Sequence, residues 1–250
     1  MSDTGHGLVL AAVTRGGIAQ AGRLAAAWPA AELVVPARLA PWLADLPNPC
    51  AAVDTGSLGA ALGARFRRPV AQLVCFCSVG ATVRLLAPYL GDKTRDPGVV
   101  AVDEGGRFAV AVIGGHLGGA NAWAQRLAAE LGATPVVTTA SDSAGLPAVD
   151  LLGQEQGWSV VASKAALRRA AAALVNGEPV ALVEEDEAWR PAAATRPSNL
   201  DRLSGPQQLS ADAYAAVLWV RGQAPPADWQ VRLGERLVRY RPAAKGDGCG

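Results

Sequence analysis

The chain has 250 residues, 50% hydrophobic and 18% charged, a composition that suits a globular protein with a sizeable core. Its 23 Lys+Arg nearly cancel its 22 Asp+Glu, and a formal net charge of +1 argues against nucleic-acid binding, which favours a basic excess. No run approaches the ~18 uninterrupted apolar residues of a membrane span. The start, Met-Ser-Asp-Thr-Gly-His-Gly, lacks the basic stretch of a signal peptide, so the expectation is no membrane partner and a cytoplasmic location.

Leu8–Thr14 is a short apolar run, and Arg15–Trp28, with Ile18 and Leu24 among alanines, suits a helix. Glu32–Val35 is a second apolar run, broken by Pro36. Such a strand–helix–strand opening favours a parallel sheet with crossover helices. A Pro-rich loop is expected from Pro36 to about Asp54, then a helix over Ser57–Phe66, a strand over Val70–Phe76 and a helix reaching Tyr89. Val99–Asp103 and Arg107–Ile113 flank Glu104-Gly105-Gly106 and read as an antiparallel hairpin. A Gly-rich segment, 114–121, leads into a helix with Trp123, Leu127 and Leu131 on one face, closed by Gly132. Pro135–Thr139 supplies another short β-rich run.

Beyond about Asp150 the character changes. An Ala-rich helix (Ser163–Val175) ends at Asn176-Gly177, and Pro179–Val183, Ala215–Val220 and Arg236–Arg241 read as strands. Glu184–Glu187 and Trp189–Gly205 look like exposed loop, and Lys245–Gly250 like a frayed tail. The expected class is α/β: a Rossmann-like parallel or mixed sheet flanked by helices over 1–150, with a second, smaller α/β domain over 151–250.

The four cysteines do not form a disulfide framework. Cys75 and Cys77 are expected on opposite faces of one strand, and Cys50 and Cys249 stand alone. With His6 and His116 the only histidines, no protein-built metal centre is expected. In the Gly-rich segment, Gly114, Gly115, Gly118 and Gly119 allow positive φ and close approach to a ligand. The helix start after them offers N–H groups and positive dipole to an anion; a tight strand–helix turn explains the same glycines. His116 suits general acid–base work or a loop-fixing hydrogen bond, and Asn121 a helix first turn or a ligand contact. Arg84, Lys93 and Arg95 suit a substrate bearing several carboxylates, or form a solvated charged loop. Asp103 and Glu104 sit at the hairpin turn, and Thr138, Thr139, Ser141 and Asp142 end a strand, where open α/β sheets bind ligands.

Several stretches together resemble the CbiG family of cobalamin biosynthesis. They are Val79 to Leu90, Asp92-Lys93-Thr94-Arg95-Asp96-Pro97, Val99 to Phe108, and Leu131 to Asp142. The most specific is Gly115-His116-Leu117-Gly118-Gly119-Ala120-Asn121, and Thr14-Arg15-Gly16-Gly17 resembles the family's start. The resemblance covers about residues 70 to 142, and more weakly the first 35; 150 to 240 resembles the family's variable middle.

The resemblance implies hydrolytic opening of the δ-lactone ring of cobalt-precorrin-5A, with loss of acetaldehyde to give cobalt-precorrin-5B. Cobalt comes with the substrate, so no cofactor is expected. His116 is the first choice for acid or base and Glu104 the reserve, with Gly118 and Gly119 N–H groups as oxyanion donors. Arg84, Lys93, Arg95 and Arg107 would meet the substrate's carboxylates, and Gly115, Asn121, Thr138, Thr139 and Asp142 complete the expected binding set. Family members commonly continue into a C-terminal domain. The alternative expectation is therefore a non-catalytic corrinoid-binding subunit that needs a separate protein carrying that domain. Other cobalamin-pathway enzymes, or a second copy in a homodimer, are further expected partners.

Overall fold

The computed structural model describes residues 7–53, 55–67, 72–146, 148–153, 157–185 and 197–241. His6, Cys249, the first part of the strand expected at Val70, residues 186–196 of the expected exposed loops and the Lys245–Gly250 tail lie outside them. The chain divides into two units, Met1–Thr138 and Thr139–Gly250. That division falls ahead of residue 150 because Val149 and Leu152 are buried in the second unit's core.

The first unit is a mixed seven-stranded sheet. Its strands are β1 (Leu8–Ala12), β2 (Glu32–Pro36), β3 (Cys50–Val53), β4 (Gln72–Phe76), β5 (Gly98–Val102), β6 (Phe108–Ile113) and β7 (Thr134–Val136), in the order β3-β2-β1-β4-β5-β6-β7. Neighbours run parallel except β5 and β6, the expected hairpin, whose register shifts between Val99 and Val100. β1 is buried throughout because both faces of the sheet are covered there, and alternate side chains enter different cores. Leu8 and Leu10 pack with Ile18 and Leu24 of α1 (Arg15–Ala27) and with Ala124 and Leu127 of a later helix, Ala120–Leu131. Val9 and Ala11 pack with Leu62 and Phe66 of α2 (Leu58–Phe66) and Leu86 of α3 (Val79–Leu86).

Local chemistry places the helix ends. Thr14 and Ser78 cap α1 and α3, their hydroxyls accepting from Gly17 N–H at 3.1 Å and Ala81 N–H at 3.3 Å. α3 gives way to a 3-10 turn, Ala87–Tyr89, at Pro88, which has no N–H to donate. Ala120–Leu131, hereafter α4, starts after Gly119 at φ +79° and ends at Gly132 at φ +70°.

Two expectations need correction in this unit. The segment 36–54 is not all loop: Ala37–Leu43 forms a 3-10 helix, and Cys50–Val53 is the edge strand β3, too short to stand out between prolines. Cys75 and Cys77 do not face opposite ways. Residues two apart on an extended chain share a face, and both thiols sit in the Val9–Leu62 core, where burial pushes them up.

The second unit opens with the single-turn α5 (Ala140–Ser143) and has a five-stranded sheet of β8 (Ser159–Val161), β9 (Val180–Glu184), β10 (Leu200–Leu203), β11 (Ala216–Val220) and β12 (Leu237–Arg241), in the order β10-β9-β11-β12-β8. β9 (Val180–Glu184), β11 (Ala216–Val220) and β12 (Leu237–Arg241) match expected strands, and α6 (Lys164–Asn176) the expected helix. β10 (Leu200–Leu203) lies inside an expected loop, because its Leu-Asp-Arg-Leu pattern is a short edge signal. β8 (Ser159–Val161) and α7 (Ala227–Leu233) carried no recognised signal. No described helix is long and apolar enough to cross a membrane.

Leu127 is fully buried between α4 and the sheet. Leu127→Ala is expected to destabilise the first unit by about 2–5 kcal/mol, seen as an earlier urea transition of that unit.

Candidate functional site

Because β6 runs against β5, the loop after β6 returns to the edge of the sheet where β5 begins. Every segment leaving β6 or β7 is therefore at this starting edge, while the β5–β6 turn is at the finishing edge. The expected site residues of the first unit divide between the two.

At the starting edge, residues 114–119 lie against the first residue of β5. A Cβ on Gly118 would come within 2.7 Å of the Gly98 nitrogen, and one on Gly98 would strike the Gly118 carbonyl and the Gln72 carboxamide, so the two backbones touch only because both residues are glycine. Gln72 Nε2 donates to the Gly118 carbonyl and pins the loop from β4. Within the loop, Gly119 N–H donates to His116 O at 2.8 Å, Ala120 N–H to Gly114 O at 3.1 Å and Asn121 N–H to Gly115 O at 3.0 Å. These bonds correct the expectation of an open helix start: the Gly119 N–H is already engaged and is not an oxyanion donor. The His116 side chain is half-buried, and Asn121 is buried in the first turn of α4.

The loop 90–97 reaches the same edge, its Pro97 carbonyl lying against Gly114. Its acids shape it. Asp92 accepts from Thr94 N–H at 3.0 Å and Thr94 Oγ1 at 2.8 Å, and Asp96 accepts from Gly91 N–H at 3.2 Å. Lys93 and Arg95 project from it exposed, and Arg84 is exposed on the last turn of α3. Thr138 follows β7 at this edge. Thr139 and Asp142 belong to the second unit, where the Thr139 hydroxyl donates to the Asp142 carboxylate.

At the finishing edge stands the Asp103–Arg107 turn. Asp103 Oδ1 accepts from Arg107 N–H and Phe108 N–H, both at 2.7 Å; Oδ2 accepts from Gly105 N–H and Arg107 Nε, both at 3.3 Å. Partial burial pushes this carboxyl up, but those hydrogen bonds and the Arg107 charge outweigh it and hold the group below its ordinary value. Asp103 is thus a turn-building residue. Glu104 is exposed and leans over Gly16, in the first turn of α1. The five residues of β5 separate this turn from the His116 loop, about 16 Å at ~3.3 Å per residue. His116 and Glu104 are therefore not partners in one site, and Arg107 is remote from Lys93 and Arg95.

Gln72 escaped the sequence reading. Its signal is a lone amide opening an otherwise apolar strand, Gln72-Leu73-Val74-Cys75-Phe76.

Comparison with known proteins gives a consistent set of likenesses. Residues 62–142 match the family described as cobalamin synthesis G N-terminal, and 147–242 match the cobalamin biosynthesis central region. A cobalt-precorrin-5A hydrolase of Priestia megaterium is 36% identical over 180 residues, 71% of this chain and 48% of that protein. A cobalt-precorrin-5A hydrolase of Salmonella typhimurium is 46% identical over 80 residues, 32% of this chain and 23% of that protein. The chain thus spans about half or less of the length of these curated relatives. A crystal structure of a cobalamin biosynthesis protein G homolog from Sulfolobus solfataricus aligns at TM-score 0.46 and 15% identity, over 96% of this chain and 62% of that one.

Two outcomes follow from the geometry. Gly98→Ala is expected to cost about 1–3 kcal/mol and to loosen the His116 loop, read as faster amide exchange across 114–121 than in the parent. Asp103 has a lowered folded-state pKa, so its stabilisation is present above the unfolded-state value and lost as pH falls through the folded one. The stability gap between the parent and Asp103→Asn should therefore be full at neutral pH and close on acidification, measured by urea titrations across that range.

Proposed function

As the chain belongs to the cobalamin synthesis G family and carries that family's N-terminal and central regions, we propose that it acts in cobalamin biosynthesis as a hydrolase of carbon–carbon bonds. Its reaction is the opening of the δ-lactone of cobalt-precorrin-5A with release of acetaldehyde. The observation that most supports this reading is the gathering of the His116 loop, Lys93 and Arg95 at one edge of the first sheet. An ionisable imidazole beside exposed cations suits a substrate fringed with carboxylates.

Water adds to the lactone carbonyl, and the ring C–O bond breaks to leave a carboxyl group and a secondary alcohol. His116 takes the proton from water and returns one to the departing alkoxide. In the second step His116 takes the alcohol's proton and the adjacent C–C bond breaks as in a retro-aldol reaction. Acetaldehyde leaves, and the electron pair passes into the electron-poor macrocycle. The cobalt stays with the substrate. Lys93 and Arg95, which make no ion pair among the described residues, hold carboxylates while this occurs.

The test is acetaldehyde release from cobalt-precorrin-5A by the purified chain. His116→Asn should slow release by ~10² to ~10⁴ with little change in substrate binding, while Glu104→Gln stays near the parental rate. The reverse pattern would move the chemistry to the finishing edge. A parent that binds the substrate but releases acetaldehyde only when another protein is added would be the corrinoid-binding subunit.

A further inference from the structure

β6 reads Phe108-Ala109-Val110-Ala111-Val112-Ile113, apolar at every position. Strands of that kind are covered on both faces. Ala109 and Ala111 are covered, packing on the α4 side. The other face is covered at Ile113, which packs into the α2–α3 core, and is open along Phe108, Val110 and Val112. α2 and α3 serve β2, β1, β4, β5 and the Ile113 end of β6 on that side, and each crossover joining parallel strands returns on the face its right-handed sense requires. The crossover from β6 to β7 puts α4 behind the sheet, and among the described residues α3 is the helix that reaches β6 in front, at its Ile113 end. Phe108 is 42% exposed there, and Val110 and Val136, paired across the two strands, are half-buried outside either core.

α3 forms a wall beside this face. Leu85 turns toward Gly59 of α2, so Val79 and Val83, one turn apart, are on the flank away from α2 and toward β6. Val83 is 40% exposed. The result is an apolar shelf with a wall. Its rim is cationic: Arg84 on the wall, Lys93 and Arg95 at the starting edge, and Arg107, whose guanidinium carbon lies 5.5 Å from the centre of the Phe108 ring, at the finishing edge. Of the nearby acids, Asp96 accepts from a backbone N–H and Asp92 from the Thr94 N–H and hydroxyl, while Asp103 also meets Arg107 Nε at 3.3 Å, which leaves the other guanidinium nitrogens of Arg107 to the rim.

We propose that this shelf seats the flat face of a carboxylate-fringed macrocycle, with the rim cations pairing its acid side chains and its starting-edge margin lying toward His116. The proposal rests on the hydrolase reading for its ligand class and adds the surface that holds it. Charge complementarity selects this occupant: an apolar disc with an anionic margin meets an apolar floor with a cationic margin.

The test titrates the full chain with cobyrinic acid, a cobalt corrinoid whose side chains are free carboxylates, and with its heptamethyl ester, using calorimetry. The parent should bind the acid, and the ester about tenfold or more weakly. Val83→Glu and Phe108→Glu, both at exposed positions, should each weaken binding of the acid about tenfold or more while keeping the parental circular dichroism and unfolding midpoint. Parental affinity in both variants overturns the shelf and leaves the hydrolase reading standing. A parent dimer that both variants dissociate, at unchanged corrinoid affinity, overturns it in favour of a second copy. Failure of the parent to bind either corrinoid also overturns it. Binding as expected without acetaldehyde release supports the shelf and removes the hydrolase reading.

Discussion

The reversal of direction between β5 and β6 decides where everything else in the first unit can stand. One carboxylate closes the turn: Asp103 takes four donors from residues 105 to 108, and the antiparallel pairing of β5 with β6 continues from it. A parallel continuation would have sent the Gly-rich loop to the finishing edge, beside Glu104 and the capped starts of α1 and α3. The reversal sends it to the starting edge instead, against Gly98 and within reach of Gln72. Two sets of polar residues that look like neighbours in sequence are thereby held a strand's length apart.

Much of this architecture was legible. Apolar runs closed by a capping Thr14 or Ser78 announce strand-to-helix joints, and Glu104-Gly105-Gly106 announces a hairpin. The Gly-His-Leu-Gly-Gly-Ala-Asn run marks the loop before α4. What stayed hidden was short or at an edge: β3, β8 and β10 have three or four residues each and little alternation to read. The site was legible in its residue types but not in its grouping. Sequence adjacency puts Glu104 and Arg107 near His116, and the extended length of β6 between them carries the two to opposite edges of the sheet. Gln72 was hidden for a different reason, since one polar residue in a strand does not tell which loop it will hold.

The glycines of the 114–119 segment owe their identity to packing as much as to conformation. Gly118 meets backbone on two sides, at Gly114 and at Gly98, so its lack of a side chain is a steric requirement of the sheet edge. Rigidity follows from the same contacts: the loop carbonyls and amides are paired with one another, and a side chain mounted on such a loop keeps a defined position. His116 is therefore carried by a framework, not by a flexible tether.

The outermost strand next to β6, β7, is three residues long and has Pro135 at its centre. A proline has no amide hydrogen to offer a further strand, and so short a border gives an incoming chain little backbone to copy. Sheet growth from this side is blocked at its first step. The unit can thus keep an apolar surface open beside its border without turning that border into a seed for aggregation.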